Sequence, residues 1–314
     1  MMNKPPLIVI GGATACGKTS LSVALAKKIN AQIISADSMQ LYKGMDIGTA
    51  KATGQEMRGV RHYLIDEVEP DFDFSVFEFK KRACGYINEI YENGSVPILA
   101  GGTGFYIQAV LYDIDFSDEA ESGGYRLSLE QMDTPALYSM LEETDSASAA
   151  AIHPNNKKRI IRALEFHHNT GKTISSHNEE QRCRKSPYNY AYFVLNRKRS
   201  VIYERIEQRT DLMLEGGLVQ EVQSLLERGI SEKAPSMQAI GYREIISYLK
   251  GEITLEQARD LIKLNTRHYA KRQITWFKRE KDAVWLNFED FSGEEEMLEE
   301  MINILKEKNI VQIS

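Results

Sequence analysis

The sequence has little of what marks secreted, membrane-bound or zinc-binding proteins. Its 314 residues include only three cysteines, Cys16, Cys84 and Cys183, which lie far apart without a C-x-x-C pair. Neither a disulfide framework nor a zinc finger is therefore indicated. No apolar run approaches the length of a membrane span, and we expect neither a membrane partner nor a cleavable signal ahead of the first apolar run. These absences predict a globular protein of the reducing cytoplasm.

The sequence also lacks the overall positive charge that would point to a nucleic-acid partner. The formal net charge is −6, but two segments are strongly basic. Residues 157–185 contain eight basic and three acidic residues, and residues 263–281 contain seven basic residues and one acidic residue. Such segments are usually solvated helix faces. Binding to a phosphate backbone is the alternative that they leave open.

The most informative stretch covers residues 7–19, LIVIGGATACGKT. Its apolar start suits a buried strand, and Gly12, Gly17, Lys18 and Thr19 then fit the P-loop pattern G-x-x-x-x-G-K-[ST]. The glycines let the backbone fold around a phosphate, and the N–H groups that open the next helix point at it. Lys18 adds positive charge, and the Thr19 hydroxyl is placed to hold Mg²⁺. A di- or triphosphate is expected here, with a glycine-rich turn that binds nothing as the alternative.

Two further apolar runs end in residues suited to a binding site. Residues 32–36 lead into Asp37, and residues 97–100 lead into a glycine turn that contains Thr103. Because ligands of open parallel sheets bind beyond the carboxyl ends of the strands, both segments should lie beside the P-loop. Asp37 is placed to act as a general base for a second substrate, or equally to cap the next segment or hold magnesium through water. Thr103 can offer its N–H and its hydroxyl to an anion.

These patterns predict an α/β fold, a P-loop NTPase-like parallel sheet flanked by helices, with a small inserted all-helical domain. The core should comprise residues 1–112 and 190–314, and the insertion residues 113–189, where apolar strands disappear. One long helix is predicted over 200–228, others over 238–249 and 254–279, and a last strand over 284–286. Arg205 and Arg209 share a face of the first of these helices, where they could bracket a phosphate or pair with acidic neighbours.

Six motifs, taken together, resemble the bacterial tRNA dimethylallyltransferase family, also called tRNA isopentenyltransferases or IPP transferases. They are GGATACGKT in the P-loop, DSMQLYKGMDIGTAK from Asp37, GGTGFY at 101–106, IHPNN with RALE at 152–165, IGYR at 240–243 and KRQITWF at 271–277. They follow the family's order over nearly the whole chain. Two positions depart from the family pattern, since Ala13 replaces its proline and Cys16 its serine. Because backbone groups bind the phosphate, both changes should be tolerated.

The resemblance implies transfer of a dimethylallyl group from its diphosphate to N6 of adenine 37 in tRNAs that read codons beginning with U. Asp37 then matches the general base, and Thr103 and Arg209 match residues that bind the diphosphate. Mg²⁺, held by Thr19, is the implied cofactor. The implied diphosphate-binding residues are Gly12, Ala13, Thr14, Ala15, Cys16, Gly17, Lys18 and Thr19.

The resemblance also implies a tRNA interface. Its residues would be Asp37, Ser38, Met39, Gln40, Arg126, Lys158, Arg159, Arg162, Gln238, Gly241, Tyr242, Arg243, Lys271, Arg272, Gln273 and Trp276. Two of these groups fall in the basic segments that charge alone had singled out. The partners expected are therefore the tRNA anticodon stem-loop and dimethylallyl diphosphate, with the protein acting as a monomer.

Two other functions share part of this pattern. A small-molecule kinase would also have a P-loop, an acid after the second strand and a helical lid, and it would require ATP. It leaves the motif at 271–277 unexplained. A nucleotide-gated RNA-binding protein without transfer chemistry is the other alternative, and it predicts that Asp37→Ala leaves function intact.

Overall fold

Six strands form one sheet in the computed structural model, which describes residues 4–116, 123–182, 184–280 and 282–311. The strands are β1 Pro6–Gly12, β2 Ala31–Ser35, β3 His62–Tyr63, β4 Val96–Gly101, β5 Asn189–Asn196 and β6 Ala283–Asn287. Their order is β3-β2-β4-β1-β5-β6, and each neighbouring pair is parallel. The predicted parallel α/β sheet is confirmed.

Helices connect these strands and cover both faces of the sheet. In the described residues they are α1 Lys18–Ile29, α2 Gly54–Met57, α3 Val76–Glu92, α4 Gly104–Leu111, α5 Gly123–Gln131, α6 Thr134–Thr144, α7 Ser146–Ala151, α8 Lys157–Thr170, α9 Ile174–Arg182, α10 Arg199–Glu215, α11 Leu218–Glu227, α12 Tyr242–Leu249, α13 Leu255–Phe277 and α14 Glu294–Glu307. Helices α1 and α14 pack on one face, and α3 and α13 on the other. None of the described helices is both long enough and apolar enough to cross a bilayer.

Strand β1 lies in the middle of the sheet and is buried on both faces. Leu7, Ile8, Val9 and Ile10 have no exposed surface, which explains why the strand is a continuous apolar run instead of an alternating one. At Gly11 a Cβ would lie only 2.7 Å from the Phe277 ring, so glycine lets α13 approach the strand closely. The chain runs from β1 to β2 in one direction and from β4 to β5 in the other. This reversal opens a crevice between β1 and β4 at their carboxyl ends.

The helix predicted over 200–228 is wrong, because the structure divides it into α10 and α11. Gly217 adopts a φ of 101°, in the left-handed region that an α-helix cannot continue through. The helix predicted from residue 238 likewise begins only at Tyr242, after a short 3₁₀ turn, because Gly241 has a φ of 100°. In both cases a glycine inside an apolar helical pattern marks an actual helix boundary.

The chain divides into two compact units, Met1–Val110 with Tyr188–Ser314, and Leu111–Pro187. The borders predicted from composition were residues 113 and 189. In its described residues the second unit contains only helices, and its core includes Leu129, Leu137, Leu141 and Ile160. Its buried Asp145 caps α7, and both its carboxylate oxygens accept hydrogen bonds from residues 148 and 175.

Candidate active site

The P-loop connects β1 to α1 and is held by contacts within itself. The Lys18 ammonium donates to the carbonyl oxygens of Gly12 at 3.0 Å and Ala13 at 2.7 Å. Gly17, with a φ of 105°, precedes the first residue of α1. At Gly12 a Cβ would lie 2.6 Å from the carbonyl oxygen of Leu195 on β5, so only glycine fits. The result is a loop that presents backbone N–H groups and a positive charge at the carboxyl end of the central strand.

Arginines from the β5 side lie beside this loop. Arg209 on α10 places Nη1 3.5 Å from the Thr14 hydroxyl, and burial, followed by the nearby charge of Arg205, lowers the pKa of its guanidinium. Arg197 directly follows β5, donates from Nε to the Cys16 carbonyl at 3.0 Å and stacks on Phe288. Sequence analysis missed Arg197. The same strand-end rule that selected Asp37 would have found it.

Asp37 and Thr103 are brought together by the ends of β2 and β4. The Thr103 hydroxyl accepts the Ser38 N–H at 3.2 Å, and the Thr103 N–H donates to the Ala36 carbonyl at 3.1 Å. Asp37 accepts the N–H of Met39 at 2.9 Å, which fixes one of its carboxylate oxygens. At Gly101 a Cβ would lie 2.1 Å from the Ala36 carbonyl oxygen, so glycine is needed for this approach.

Asp37 and the P-loop line one cleft. Its walls include Lys18, Thr19, Ser35, Asp37, Gln40, His62 and Gly101. Burial lowers the pKa of His62, whose Nδ1 lies 2.9 Å from the Val60 carbonyl oxygen. The cleft therefore combines a flexible cation, a hydroxyl and a carboxylate with a histidine that burial biases toward its neutral form.

The loop after β2 is fixed from two sides. Glu221 on α11 accepts the N–H groups of residues 46–48 at 2.8, 2.8 and 3.0 Å, and the Tyr242 hydroxyl at 2.6 Å. The Lys51 ammonium is buried between the carboxylates of Asp46 and Asp66. Gln40 is tied to the same loop, since its amide donates to the Ala50 carbonyl at 3.2 Å. These contacts hold Gln40 in the cleft.

Helix α13 contributes buried residues to the site as well as exposed ones. The Gln273 amide accepts the Thr14 N–H at 2.8 Å and donates to the Gly102 carbonyl at 2.9 Å. The Trp276 indole covers Gly104, where a Cβ would lie 2.1 Å from its ring. Burial, followed by the charge of Asp37, raises the pKa of Tyr269, a second side chain that sequence analysis did not anticipate.

The predicted tRNA-binding residues of this unit divide by exposure. Lys271, Arg272, Gln238 and Arg243 are exposed, but Arg243 also pairs with Glu244 at 2.8 Å and the Gln238 amide donates to the Glu232 carbonyl at 2.6 Å. Tyr242 has no exposed surface, and its hydroxyl donates to Glu221, so this side chain is held inside the protein. Gln273 is also buried, and both ends of its amide are used inside the protein, so its side chain is not presented to a partner in this structure. Gly241 is buried as well.

The predicted tRNA-binding residues of the Leu111–Pro187 unit lie on α5 and α8. Lys158, Arg159 and Arg162 are all exposed on α8, and the charges of the first two lie near its N-terminus. Arg126 on α5 forms ion pairs with Glu130 at 3.2 Å and Glu165 at 3.0 Å. Its guanidinium is therefore partly neutralised within the unit, whereas α8 presents a basic face.

The fold and the site together define a P-loop α/β protein with a carboxylate beside its phosphate loop. Comparison with protein families then gives the narrower assignment. Residues 40–280 match the family described as IPP transferase, and this chain belongs to that family. The prediction of this family, and of a transferase, is confirmed.

Individual relatives agree with this assignment. The chain is 54% identical over 311 residues to a tRNA dimethylallyltransferase of Lachnoclostridium phytofermentans, covering 98% of this chain and 99% of the relative. A crystal structure of a tRNA delta(2)-isopentenylpyrophosphate transferase from Staphylococcus epidermidis superposes with a TM-score of 0.72 at 46% identity, over 97% of this chain and 100% of the other. A eukaryotic dimethylallyltransferase acting on tRNA gives a TM-score of 0.80 at 32% identity, over 90% of this chain and 74% of the other.

Proposed function

We propose that this protein transfers a dimethylallyl group from dimethylallyl diphosphate to N6 of adenine 37 in the anticodon loop of tRNAs that read UNN codons. One observation carries the proposal, in a chain of the IPP transferase family. Asp37 lines the same cleft as Lys18 and Thr19 of the P-loop, and the Thr103 hydroxyl, just after β4, accepts the N–H of the neighbouring Ser38. A proton acceptor and an anion-binding loop thus face the same cleft, as a transfer that releases diphosphate requires.

The donor's diphosphate is proposed to bind to residues 12–19. The backbone N–H groups of the loop and the N-terminus of α1 suit a polyanion, and the Lys18 ammonium and the Arg209 guanidinium add positive charge. Negative charge on the diphosphate increases as the allylic carbon–oxygen bond breaks. Donors fixed in advance around the leaving group therefore stabilise the transition state more than the ground state.

Asp37 is proposed to accept the proton released by the attacking nitrogen. N6 forms a bond to C1 of the dimethylallyl group, the bond from C1 to the diphosphate oxygen breaks, and the N6 proton passes to the carboxylate. The Met39 N–H occupies one oxygen of Asp37 and holds its orientation. General base catalysis of this kind contributes about 10²–10⁴-fold to a rate.

The residues present suit a magnesium ion. The Thr19 hydroxyl and the Asp37 carboxylate line one cleft, and both are oxygen donors of the kind that Mg²⁺ prefers. In the described part of the chain no group of three or more His, Cys, Asp or Glu residues could hold a metal, which is compatible with an ion bound mainly through water and phosphate oxygens. When bound, the ion would neutralise charge on the diphosphate. Thr19 would hold it.

The acceptor tRNA is proposed to bind through the exposed basic residues of α8 and α13. Lys158 and Arg159 on one, and Lys271 and Arg272 on the other, suit contacts with the phosphate backbone. Adenine 37 must leave its stack to reach Asp37, which costs a few kcal/mol and is easiest in a loop. We also propose that the protein acts in the cytoplasm, as its few and widely separated cysteines suggest, and that it acts as a monomer.

The test mixes the protein with unmodified tRNA, Mg²⁺ and dimethylallyl diphosphate, without ATP. Equimolar pyrophosphate and one added C5 unit per tRNA are the expected result. Asp37→Ala should lose nearly all turnover while it retains tRNA binding, and the exposed Asp71→Asn is the matched control. If no product forms, but ADP appears when ATP and small acceptors are supplied, the protein is a kinase. Full activity of Asp37→Ala would exclude its role as the base.

A further inference from the structure

Gln273 connects two loops that are distant in the sequence. Its side-chain oxygen accepts the N–H of Thr14 in the P-loop at 2.8 Å, and its side-chain nitrogen donates to the carbonyl of Gly102 at 2.9 Å. Thr14 follows β1 and Gly102 follows β4, and these strands are neighbours in the sheet. The amide therefore bridges the carboxyl ends of β1 and β4.

The orientation of this amide is fixed by its partners. Rotating it by 180° would place the NH₂ group against the Thr14 N–H and the oxygen against the Gly102 carbonyl, so neither hydrogen bond would form. Gln273 is 6% exposed, and a Cβ at Gly102 would lie 2.2 Å from its nitrogen. The backbone at residue 102 thus leaves only enough space for the amide.

The second loop carries the connection further, to the predicted base. Thr103 follows Gly102 and is bonded to the backbone on both sides of Asp37, through the Ala36 carbonyl and the Ser38 N–H. A continuous series of hydrogen bonds and peptide units therefore runs from Thr14 through Gln273 to Asp37. It sets the distance between the P-loop and the carboxylate.

We propose that Gln273 is a positioning residue of the donor site: its amide fixes the P-loop relative to the turn that carries Thr103, and so aligns the leaving diphosphate with the base. This rests on the proposed function. The neighbouring Lys271 and Arg272 are exposed on the same helix, so α13 faces a partner on one side and holds the P-loop on the other. Binding of tRNA to α13 and binding of the donor to the P-loop should therefore be coupled, and the coupling must be reciprocal.

The test replaces Gln273 by Met, which has a similar volume and no amide. Thr275→Ala is the matched control, since Thr275 is exposed on α13 and its hydroxyl bonds only to the Lys271 carbonyl among described partners. The rate of transfer is measured in single turnovers with both substrates saturating. The dissociation constant of inorganic pyrophosphate is measured with and without tRNA, and circular dichroism checks the fold. Gln273→Glu, which keeps an acceptor for Thr14 but cannot donate to Gly102, serves if the Met variant does not fold.

Gln273→Met should reduce the saturated rate about 10²-fold, as a small misplacement of reacting groups does, and should abolish the effect of tRNA on pyrophosphate affinity. Gln273→Glu should reduce that rate at least about tenfold, and Thr275→Ala should change neither quantity. A rate within twofold of wild type, with only the melting temperature lowered, would overturn the proposal, as would a slow rate that returns to the wild-type value when the tRNA concentration is raised. If the wild type itself forms no product, the proposed function has failed. Pyrophosphate affinity then decides the role of Gln273, and equal affinity of wild type and Gln273→Met would overturn it.

Discussion

Glu221 offers a direct test of how the loop after β2 is held in place. Its Oε2 accepts the N–H groups of Asp46 and Ile47, both at 2.8 Å, and its Oε1 accepts the Gly48 N–H at 3.0 Å and the Tyr242 hydroxyl at 2.6 Å. In Glu221→Gln one of these oxygens becomes an NH₂ group. The side-chain amide can place this group at Oε1, where the Tyr242 hydroxyl can turn to accept from it, so the Gly48 N–H loses its acceptor and faces a donor.

The magnitude follows from the kind of bond that is lost. Hydrogen bonds to a charged group contribute about 1.5–3 kcal/mol each, and the half-buried position of Glu221 favours the lower end of that range. Glu221→Gln loses one such bond and leaves the Gly48 N–H unpaired, so it should lower the free energy of unfolding by about 2–3 kcal/mol. Tyr242→Phe removes one of the four bonds and leaves no donor unpaired, so it should cost about 1 kcal/mol.

Urea denaturation measures both values. The two tryptophans, Trp276 and Trp285, both belong to the Met1–Val110 with Tyr188–Ser314 unit, so selectively excited tryptophan fluorescence reports on that unit. Transfer activity should fall with Glu221→Gln even in the absence of urea, because the loop that holds Gln40 loosens. The reasoning would be refuted if Glu221→Gln cost no more than Tyr242→Phe, or if it left activity unchanged.

Three further predictions concern other parts of the molecule. Lys51→Met removes a buried ammonium, while the half-exposed Asp66 carboxylate can be hydrated in its place. Urea denaturation should show a free energy of unfolding that is lower by about 1–3 kcal/mol. A higher free energy of unfolding would contradict this prediction. Gly104→Ala should displace the Trp276 indole, because its Cδ1 would lie 2.1 Å from the added Cβ. The fluorescence emission should then shift and tRNA binding should weaken. Unchanged emission and unchanged tRNA affinity would contradict this prediction. Burial acts to raise the pKa of Asp145, but hydrogen bonds from two serines outweigh it and leave the pKa lowered. The ionised carboxylate therefore stabilises the Leu111–Pro187 unit at pH values above its unfolded pKa of about 4. This stabilisation is lost as the pH falls through the lower pKa of the folded state. Asp145→Asn should remove this acid dependence in hydrogen-exchange measurements, and an unchanged pH profile would count against the assignment.

Local patterns in the sequence were sufficient for the parallel sheet and for the P-loop. Residues 7–10 and 97–99 are buried, so these strands are continuous apolar runs that can be recognised in the sequence. Asp37 could be placed beside the P-loop because parallel strands end at one edge of a sheet. These inferences need no knowledge of distant contacts.

Contacts between distant segments were not accessible from the sequence. The Tyr242 hydroxyl bonds to Glu221 on another helix, and the Gln273 amide bonds to two loops far away in the chain. A family motif marks such residues as functional without distinguishing a side chain that contacts the partner from one that supports the site. The break at Gly217 was missed for a related reason, since the residues on both sides of it keep a helical pattern.

The position of β1 between β4 and β5 has a consequence for how the protein is made. Ile10 pairs with Ala100 on one side and with Phe193 on the other. The P-loop also needs Gln273, which lies 259 residues beyond Thr14, for one of its hydrogen bonds. Contacts that close such long segments form slowly, because the entropy of a large loop must be lost first. A chain still emerging from the ribosome therefore has its phosphate-binding sequence from the start, but the loop can take its final shape only after α13 has been synthesised. Binding of a diphosphate by this loop would thus indicate that the chain has finished folding.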